Sequence, residues 1–336
     1  MDNQDNRYQV CIRCFTFNHV NYIEDAMHGF LMQQTDFPYV AVVVDDASTD
    51  GEPEVIKRFL EKEFDMVSAV LNETDDYVRV VAKHKTNENC TFVAVFLKYN
   101  HYHKKSKKPY FQKWWNASKY IALCEGDDYW TDPLKLQKQV DYLDSHNDCA
   151  MCAHAANWEV NGIIERNDVC HGEECDLTTY EVIERGGLYL ATASLIFRRE
   201  VGDIWPSWRK KANVGDYPLQ ILGTLQGKLH YFPDIMCVYR YLVLGSWTER
   251  YLGQKEKNLD YLRGRTMWLL EFNEDTKHKY EKAVCTSLLK CGYSELFVAG
   301  RISLRQYLYA MKKGHRSKKM NHFIKEMCAR YLGVTI

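Results

Sequence analysis

Apolar positions along the first 145 residues follow two rhythms. Short runs rich in Val, Ile, Phe and Tyr alternate with stretches in which apolar residues recur every three or four positions. That is the pattern of βαβ units around a mostly parallel sheet. Val10 to Phe15 is the first expected strand. Asn21 and Glu24 then have capping-box spacing, and Ile23, Met27, Phe30 and Leu31 fall on one helical face. Tyr39 to Val44 is wholly apolar and runs straight into Asp45-Asp46-Ala47-Ser48-Thr49-Asp50-Gly51, after which Pro53 opens a helix carrying Val55, Ile56, Phe59 and Leu60. Met66 to Val70, Thr91 to Leu97 and Lys119 to Cys124 are further expected strands. A charged loop over residues 72 to 90 and a basic stretch, His101 to Lys108, separate them, and Tyr110 to Ala117 reads as a helix. Asp132-Pro133 supplies an N-cap and a first-turn proline for a helix whose Leu136, Val140 and Leu143 face the core.

Past residue 145 the pattern loosens into two apolar runs, Cys149 to Ala156 and Leu190 to Phe197, around an acidic loop. From about residue 250 it becomes mainly helical. The expected organisation is an α/β domain over residues 1–250, in halves of about 1–145 and 146–250, followed by a helical extension over 251–336 with a basic tail.

Composition narrows the picture. The chain has 336 residues, 46% of them apolar and 13% aromatic, and no apolar run approaches the roughly 18 to 20 residues that cross a bilayer. Met1 to Tyr8 is polar and acidic, without the basic and apolar regions of a secretory signal, so a cytoplasmic chain is expected. Its 12 cysteines then read as small buried hydrophobes rather than a disulfide framework. Cys149-x-x-Cys152 and Cys170-His171 with Cys175 lack a second properly spaced pair, and positions i and i+3 of a strand point to opposite faces, so structural zinc is not expected. A net charge of −1 argues against a general nucleic-acid binder. The charge is nonetheless uneven: residues 301–336 hold nine Lys/Arg and one acid, net +8, leaving net −9 for the first 300. There Leu304, Leu308 and Met311 are spaced for one apolar face, followed by Lys312, Lys313, Arg316, Lys318 and Lys319. Two readings stand side by side, a peripheral contact with anionic lipid and a solvated helical face packed on the domain.

The candidate chemistry lies in two acidic clusters, each following a buried-looking strand: Asp45-Asp46 after YVAVVV, and Glu125-Gly126-Asp127-Asp128 after KYIALC. Open α/β sheets bind ligands at the carboxyl ends of their strands, so both clusters are expected at one mouth. Carboxylates crowded in this way suit Mg2+ or Mn2+, which is commonly held by one or two of them together with substrate phosphates. The bland alternative is that Asp46, Asp50 and Asp132 merely cap turns and helices.

The motifs resemble those of the family 2 glycosyltransferases of the GT-A fold, over roughly residues 8 to 247. Phe15-Thr16-Phe17-Asn18 looks like the family's P-T-Y-N turn. Val44 to Gly51 looks like its V-D-D-G-S-T-D-G, and Glu125-Gly126-Asp127-Asp128 like its D-x-D-D metal motif. The resemblance implies a GT-A type, Rossmann-like nucleotide-diphosphosugar transferase fold, with the nucleotide sugar in the first half and the acceptor in the second. It implies inverting transfer of a sugar from a nucleotide diphosphate sugar, with a UDP-sugar favoured. Thr16, Asn18, Asp45 and Asp46 would hold the nucleobase and ribose. Asp127, with Asp128 and Glu125, would reach the ribose and a Mn2+ or Mg2+ ion on the diphosphate. Trp247 would lie in a mobile loop near the diphosphate, and Asp216, opening a helix, would be the base for the acceptor hydroxyl. Thr192 and Ser194 would border the sugar.

The departures from the family pattern are Phe15, Ala47 and Glu125 at motif positions, Leu242 where many members carry a metal-joining histidine, and the missing N-x-G and A-R-N motifs. Without a Q-x-x-R-W motif, addition of a single sugar to a saccharide or lipid-linked acceptor in surface polysaccharide biosynthesis is favoured over polymerisation. Trp130, Trp205, Trp208 and Trp247 are further candidates for stacking on sugars, against the ordinary reading of tryptophan as a core or rim residue. Two alternatives remain at this point. A haloacid-dehalogenase phosphatase would need D-x-D-x-T where this chain has Asp45-Asp46-Ala47-Ser48-Thr49. A catalytically degenerate GT-A-fold protein would bind carbohydrate or nucleotide without turnover.

Overall fold

The apolar run after Pro38 becomes the most enclosed strand of the protein. In the computed structural model, which describes residues 7–102, 104–252 and 254–315, β2 (Tyr39–Asp45) is buried at all seven positions. It lies between β1 (Tyr8–Thr16) and β5 (Cys90–Leu97), both parallel to it, and β6 (Ser118–Leu123) runs parallel on the far side of β1. Helices cover both faces of such a sheet, which is why these strands read as unbroken apolar runs instead of alternating. The helices of this region are α1 (Ile23–Leu31), α2 (Glu52–Glu63), α3 (Lys108–Asn116) and α4 (Lys135–Ser145).

Outward from β5 the sheet turns antiparallel through β4 (Tyr77–Lys83) to the edge strand β3 (Val70–Glu73). β4 falls inside the segment read as a charged loop. Its Val80 and Ala82 alternate with Arg79, Val81 and Lys83, a half-buried pattern that the charges obscure. β3 starts where the expected strand Met66–Val70 ends. The Asp65 carboxylate accepts Val67 N at 3.1 Å and Ser68 Oγ at 2.5 Å, and this Asx turn leaves Val67 99% exposed.

On the other side, β6 is followed by the short β11 (Ile196–Arg198), then β8 (Cys149–Val160), β12 (Lys228–Arg240) and β10 (Cys175–Leu177). β7 (Tyr129–Trp130) pairs with β12, and β9 (Ile163–Asp168) with β8, making twelve strands in one sheet. The apolar run Leu190–Phe197 holds a 3-10 turn at Thr192–Ser194, fastened in the core by Trp130 Nε1 donating to Ala193 O at 2.8 Å, and then enters β11. The opposite-face argument for Cys149 and Cys152 also fails. β8 bulges at Ala150, where its partners step from Lys228 to Leu229, and the change of parity lets the Cys152 thiol hydrogen-bond to Cys149 and hold its pKa down.

Two helix starts differ from expectation, by one residue in α1 and two in α4. α1 has Tyr22 at its N-cap with no side-chain cap, because His19 O accepts both Tyr22 N and Ile23 N. α4 begins at Lys135. The Asp132 carboxylate instead closes the preceding turn on Leu134 N at 2.8 Å.

The chain divides into two compact units. The first comprises the residues up to Leu177, Tyr189–Ile204 and Leu222–Arg250, and contains the whole sheet together with α6 (Arg199–Asp203). The second comprises Thr178–Leu188, Trp205–Ile221 and the residues after Arg250. α5 (Thr179–Arg185), α7 (Ser207–Lys210) and the first six residues of α8 (Asp216–Gln226) belong to it. So do α10 (Lys255–Asp275), α11 (Glu281–Lys290), α12 (Tyr293–Val298) and α13 (Leu304–Lys313), while α9 (Trp247–Leu252) begins in the first unit. The second unit is cored by Trp208, Tyr217, Trp268 and Phe272, whose rings pack with centroids 5.1 to 6.2 Å apart.

α13 presents a different face from the one expected. It buries Met311 together with Tyr307 and Ala310, and leaves Leu304 and Leu308 each 51% exposed. The Tyr307 ring, stacked 5.0 Å from Phe297, sets the rotation of the helix. Arg316, Lys318 and Lys319 lie outside the described residues. No helix among the described residues is long and apolar enough to cross a membrane.

Candidate active site

Two loops leave the carboxyl ends of neighbouring parallel strands β1 and β2 and are joined by one carboxylate. Glu52, the first residue of α2, is fully buried. It accepts the Thr16 hydroxyl through one oxygen and, through the other, His19 N at 2.9 Å and Ser48 Oγ at 2.8 Å. Ser48 Oγ in turn accepts Asn18 N at 2.8 Å, and Asn18 Oδ1 accepts Thr49 N at 2.9 Å. Both loops turn through left-handed backbone, at Asn18 (φ 57°) and Ala47 (φ 62°). Asn tolerates this region, whereas Ala there carries strain of about 1–2 kcal/mol that the network must hold.

Asp45 and Asp46 are each 1% exposed. Burial pushes the Asp45 carboxyl up to about 7. Hydrogen bonds from Ser48 oppose the rise, and the neighbouring Glu52 and Asp46 add to it. Asp46 turns the other way. Its Oδ1 accepts His101 N at 2.7 Å, its carbonyl accepts Asn100 Nδ2 at 3.1 Å, and its Oδ2 lies 2.8 Å from Lys107 Nζ. His101 is locked in place by Tyr110 OH at 3.0 Å and by stacking on Tyr99 at 4.7 Å. The basic stretch before α3 therefore folds over the first acidic cluster.

The second cluster follows β6 and packs against the end of β1. Gly126 N donates to Phe15 O at 2.9 Å, and Phe15 N donates to Glu125 Oε2 at 3.2 Å. Glu125 Oε1 receives the Arg13 guanidinium at 2.8 Å; burial raises its pKa, Arg13 opposes the rise, and the net direction is upward. Asp127 is 17% exposed and its Oδ2 lies 3.8 Å from His19 Nε2. Asp128 faces inward, 2% exposed, and accepts Arg240 N at 2.9 Å. Burial, then the Asp127 charge, push its carboxyl well up. Arg240 binds Glu159 Oε1 at 3.0 Å, Asp127 O at 3.3 Å and Asp25, between the rings of Tyr22 and Tyr129.

Thr16, Asn18, Asp45, Asp46, Glu125, Asp127 and Asp128 thus come together at one end of the sheet. Their side chains diverge, however, and among the described residues no three His, Cys, Asp or Glu side chains are gathered as a ready metal cage. Trp247 opens α9, half-buried, after a loop in which Leu242 takes a left-handed φ of 61°. Asp216 opens α8 in the second unit, near Tyr261, whose hydroxyl is pushed up to about 12 by burial, with Arg265 opposing and Asp216 adding to the rise. Trp130 and Trp208 are core residues at 2% and 3% exposure, while Trp205 is 48% exposed beneath Arg209. Ser194 is buried with its hydroxyl on Ala191 O.

Sequence reasoning missed Arg13, His19, Glu52, His101, Lys107 and Arg240. Arg13 left a visible signal, a lone charge inside the apolar run Val10 to Phe15. Glu52 left none, because a first-turn glutamate before Pro53 is an ordinary helix start.

No protein-family model matches the chain. It is 29% identical over 256 residues to uncharacterized protein Rv1520 of Mycobacterium tuberculosis, and equally to uncharacterized protein Mb1547 of Mycobacterium bovis. The match covers 74% of this chain and 63% of each relative, so the chain spans less than two thirds of their length. Among solved structures it resembles residues 1–349 of S. aureus TarS in complex with UDP, at 16% identity and a TM-score of 0.55, covering 89% of this chain and 76% of that one. The longer TarS structure gives 14% identity and a TM-score of 0.53, covering 89% of this chain and 46% of that one. The fold is that of the GT-A glycosyltransferases.

Proposed function

We propose that this GT-A-fold chain is an inverting glycosyltransferase, transferring one sugar from a nucleotide diphosphate sugar to a glycan or lipid-linked acceptor in surface polysaccharide assembly. One observation carries the reading: the loops after β1, β2 and β6 converge so that Asp45, Asp46 and Asp127 share the mouth of a parallel sheet, where α/β folds bind nucleotides. The UDP held by the TarS structure favours a uracil base.

In this reading Asp45 and Asp46, fixed by Glu52, Ser48 and His101, meet the nucleobase and ribose. Asp127, with His19 beside it, is the member of the second cluster available to a hard cation shared with the ligand's phosphates, while Asp128 and Glu125 shape the loop around it. A bound Mn2+ or Mg2+ would neutralise charge on the departing nucleoside diphosphate. Asp216 is the proposed acceptor of the proton from the attacking hydroxyl. The exposed leucines of α13 and the net +8 of residues 301–336 favour an acceptor carried on an anionic membrane surface.

The test is a thermal-shift panel of UDP, GDP, dTDP and CDP with and without Mn2+, because a ligand that binds only the folded state raises its apparent stability. A Mn2+-dependent shift with one nucleotide, lost in Asp127→Ala, is expected. No shift with any nucleotide would remove the donor site. The second reading, a degenerate GT-A-fold binder, is favoured by the engagement of Glu125 with Arg13. Donor hydrolysis separates the two, since a binder holds the nucleotide sugar without releasing sugar. Full transferase activity in Asp216→Asn would remove Asp216 as the base.

A further inference from the structure

Two cations stand at the mouth of the site, each facing an acidic residue of a different cluster. Arg13 projects from β1, its side chain 21% exposed, and binds Glu125 Oε1 at 2.8 Å. Lys107 precedes α3, its side chain 18% exposed, and lies 2.8 Å from Asp46 Oδ2. Both face one ring, with the guanidinium carbon of Arg13 4.5 Å and the ammonium of Lys107 5.2 Å from the centroid of Phe15. The charges are therefore close enough for one diphosphate to touch both. Asp46 Oδ2 is buried and makes no hydrogen bond of directed geometry, so charge alone holds Lys107 there. Lys107 and Arg13 both act electrostatically on Glu125 as well.

We propose that Arg13 and Lys107 form a phosphate clamp for the nucleoside diphosphate, in which Glu125 and Asp46 serve as stand-in counter-ions that the ligand's phosphates displace. The assignment rests on the donor-site reading above and adds binding residues to it. It gives a reason for an arginine inside an otherwise apolar strand, where an unpaired guanidinium would be costly. It also gives a reason for the placement of the 98–108 segment over Asp46. Arg and Lys are the side chains that bind phosphate by charge-assisted hydrogen bonds, Arg as a fork and Lys as a point charge. Two of the ligand's negative charges are then met by the protein, and the chain binds diphosphate measurably without a divalent ion.

The experiment is isothermal titration calorimetry in EDTA, with UDP, GDP, dTDP and CDP, their nucleosides, and inorganic pyrophosphate as probes. Lys107→Gln is expected to weaken diphosphate and pyrophosphate binding about tenfold while leaving nucleoside binding unchanged, and Lys107→Arg to restore it. Glu125→Gln is expected to tighten pyrophosphate binding, because Arg13 loses its competing partner. A merely structural role for the pair would weaken it. Arg13→Gln is read together with its melting temperature, and the Arg13→Gln/Glu125→Gln double variant removes the unpaired acid if the single variant folds poorly. Unchanged binding in Lys107→Gln, or weaker pyrophosphate binding in Glu125→Gln, overturns the clamp and leaves the donor-site reading standing. Pyrophosphate binding without any nucleotide binding overturns the clamp as a nucleoside diphosphate site. No binding of any probe in EDTA also overturns the clamp, and leaves the Mn2+-dependent donor-site reading to the thermal-shift panel.

Discussion

A Cβ on Gly126 would stand 2.1 Å from Thr16 Oγ1 and 2.5 Å from Thr16 Cβ. The loop after β6 and the end of β1 therefore meet without room for a side chain, and Thr16 cannot retreat without leaving the buried Glu52. Gly126→Ala is expected to cost about 1–3 kcal/mol of stability by overpacking and to abolish the nucleotide-induced thermal shift. Urea denaturation measures the first and the ligand panel the second. A variant as stable as the parent would show that this contact is loose.

Asp45 predicts a pH dependence. Its carboxyl is raised from 3.8 to about 7, so the folded state holds the proton more tightly than the unfolded chain. Its contribution to stability is then fully present below about pH 4 and is lost as pH rises through about 7, up to about 4 kcal/mol in all. Asp45→Asn should flatten that part of the stability curve, read by scanning calorimetry from pH 4 to 8. Nucleotide affinity should run the opposite way, rising through pH 7, because an ionised carboxylate accepts the imide N–H of a uracil base more strongly than a neutral carboxyl does. Parallel pH curves in the parent and Asp45→Asn would remove both statements.

Strands enclosed on both faces were legible because their runs are mostly apolar and rich in β-branched residues: β1, β2, β5 and β6 lie within two residues of their expected limits at each end. The antiparallel strand next to the edge was not. β4 carries Arg79 and Lys83, and these masked its alternation. Helix starts were misread where a nearby carbonyl or carboxylate closes a turn first, as His19 O does before α1. In the candidate site the acidic clusters were legible as composition at strand ends. Their partners were not, because Arg13, His19, Lys107 and Arg240 reach Glu125, Asp127, Asp46 and Glu159 across 61 to 112 residues of chain and through loops with no period of their own.

Arg240 shows what such partners hold. Its side chain is 8% exposed and ties β12 to Glu159, to Asp25 on α1 and to the carbonyl of Asp127. Arg240→Met is expected to destabilise the fold by about 3–5 kcal/mol, because Glu159, itself 13% exposed, loses its cation and keeps the Tyr129 hydroxyl. Adding Glu159→Gln should recover part of that loss. A double-mutant cycle by urea denaturation gives the coupling, and strict additivity would count against it.

α13 carries an exposed apolar pair. Ser303 caps the helix with a full capping box, so the helix start is fixed, and Tyr307, Ala310 and Met311 fix its rotation. Leu304 and Leu308, one turn apart, are therefore left outward together with Tyr309 at 43% exposure, on a segment whose sequence carries net +8. Lys313 is tied to Glu281 at 2.6 Å and Arg301 to Glu256 at 3.1 Å, which steadies the helix without covering the leucines. An apolar pair set among cations suits the headgroup region of an anionic bilayer, where each fully buried leucine contributes about 1.5–3 kcal/mol and each cation about 1 kcal/mol. Sedimentation with vesicles containing phosphatidylserine should deplete the full chain from solution. The Leu304→Ser/Leu308→Ser variant should bind at least about fivefold more weakly, and added salt should weaken both. Equal sedimentation of the variant and the full chain would leave charge as the only attraction. A concentration-dependent dimer that the same substitutions dissolve would assign the leucines to a second copy of the chain instead of a membrane.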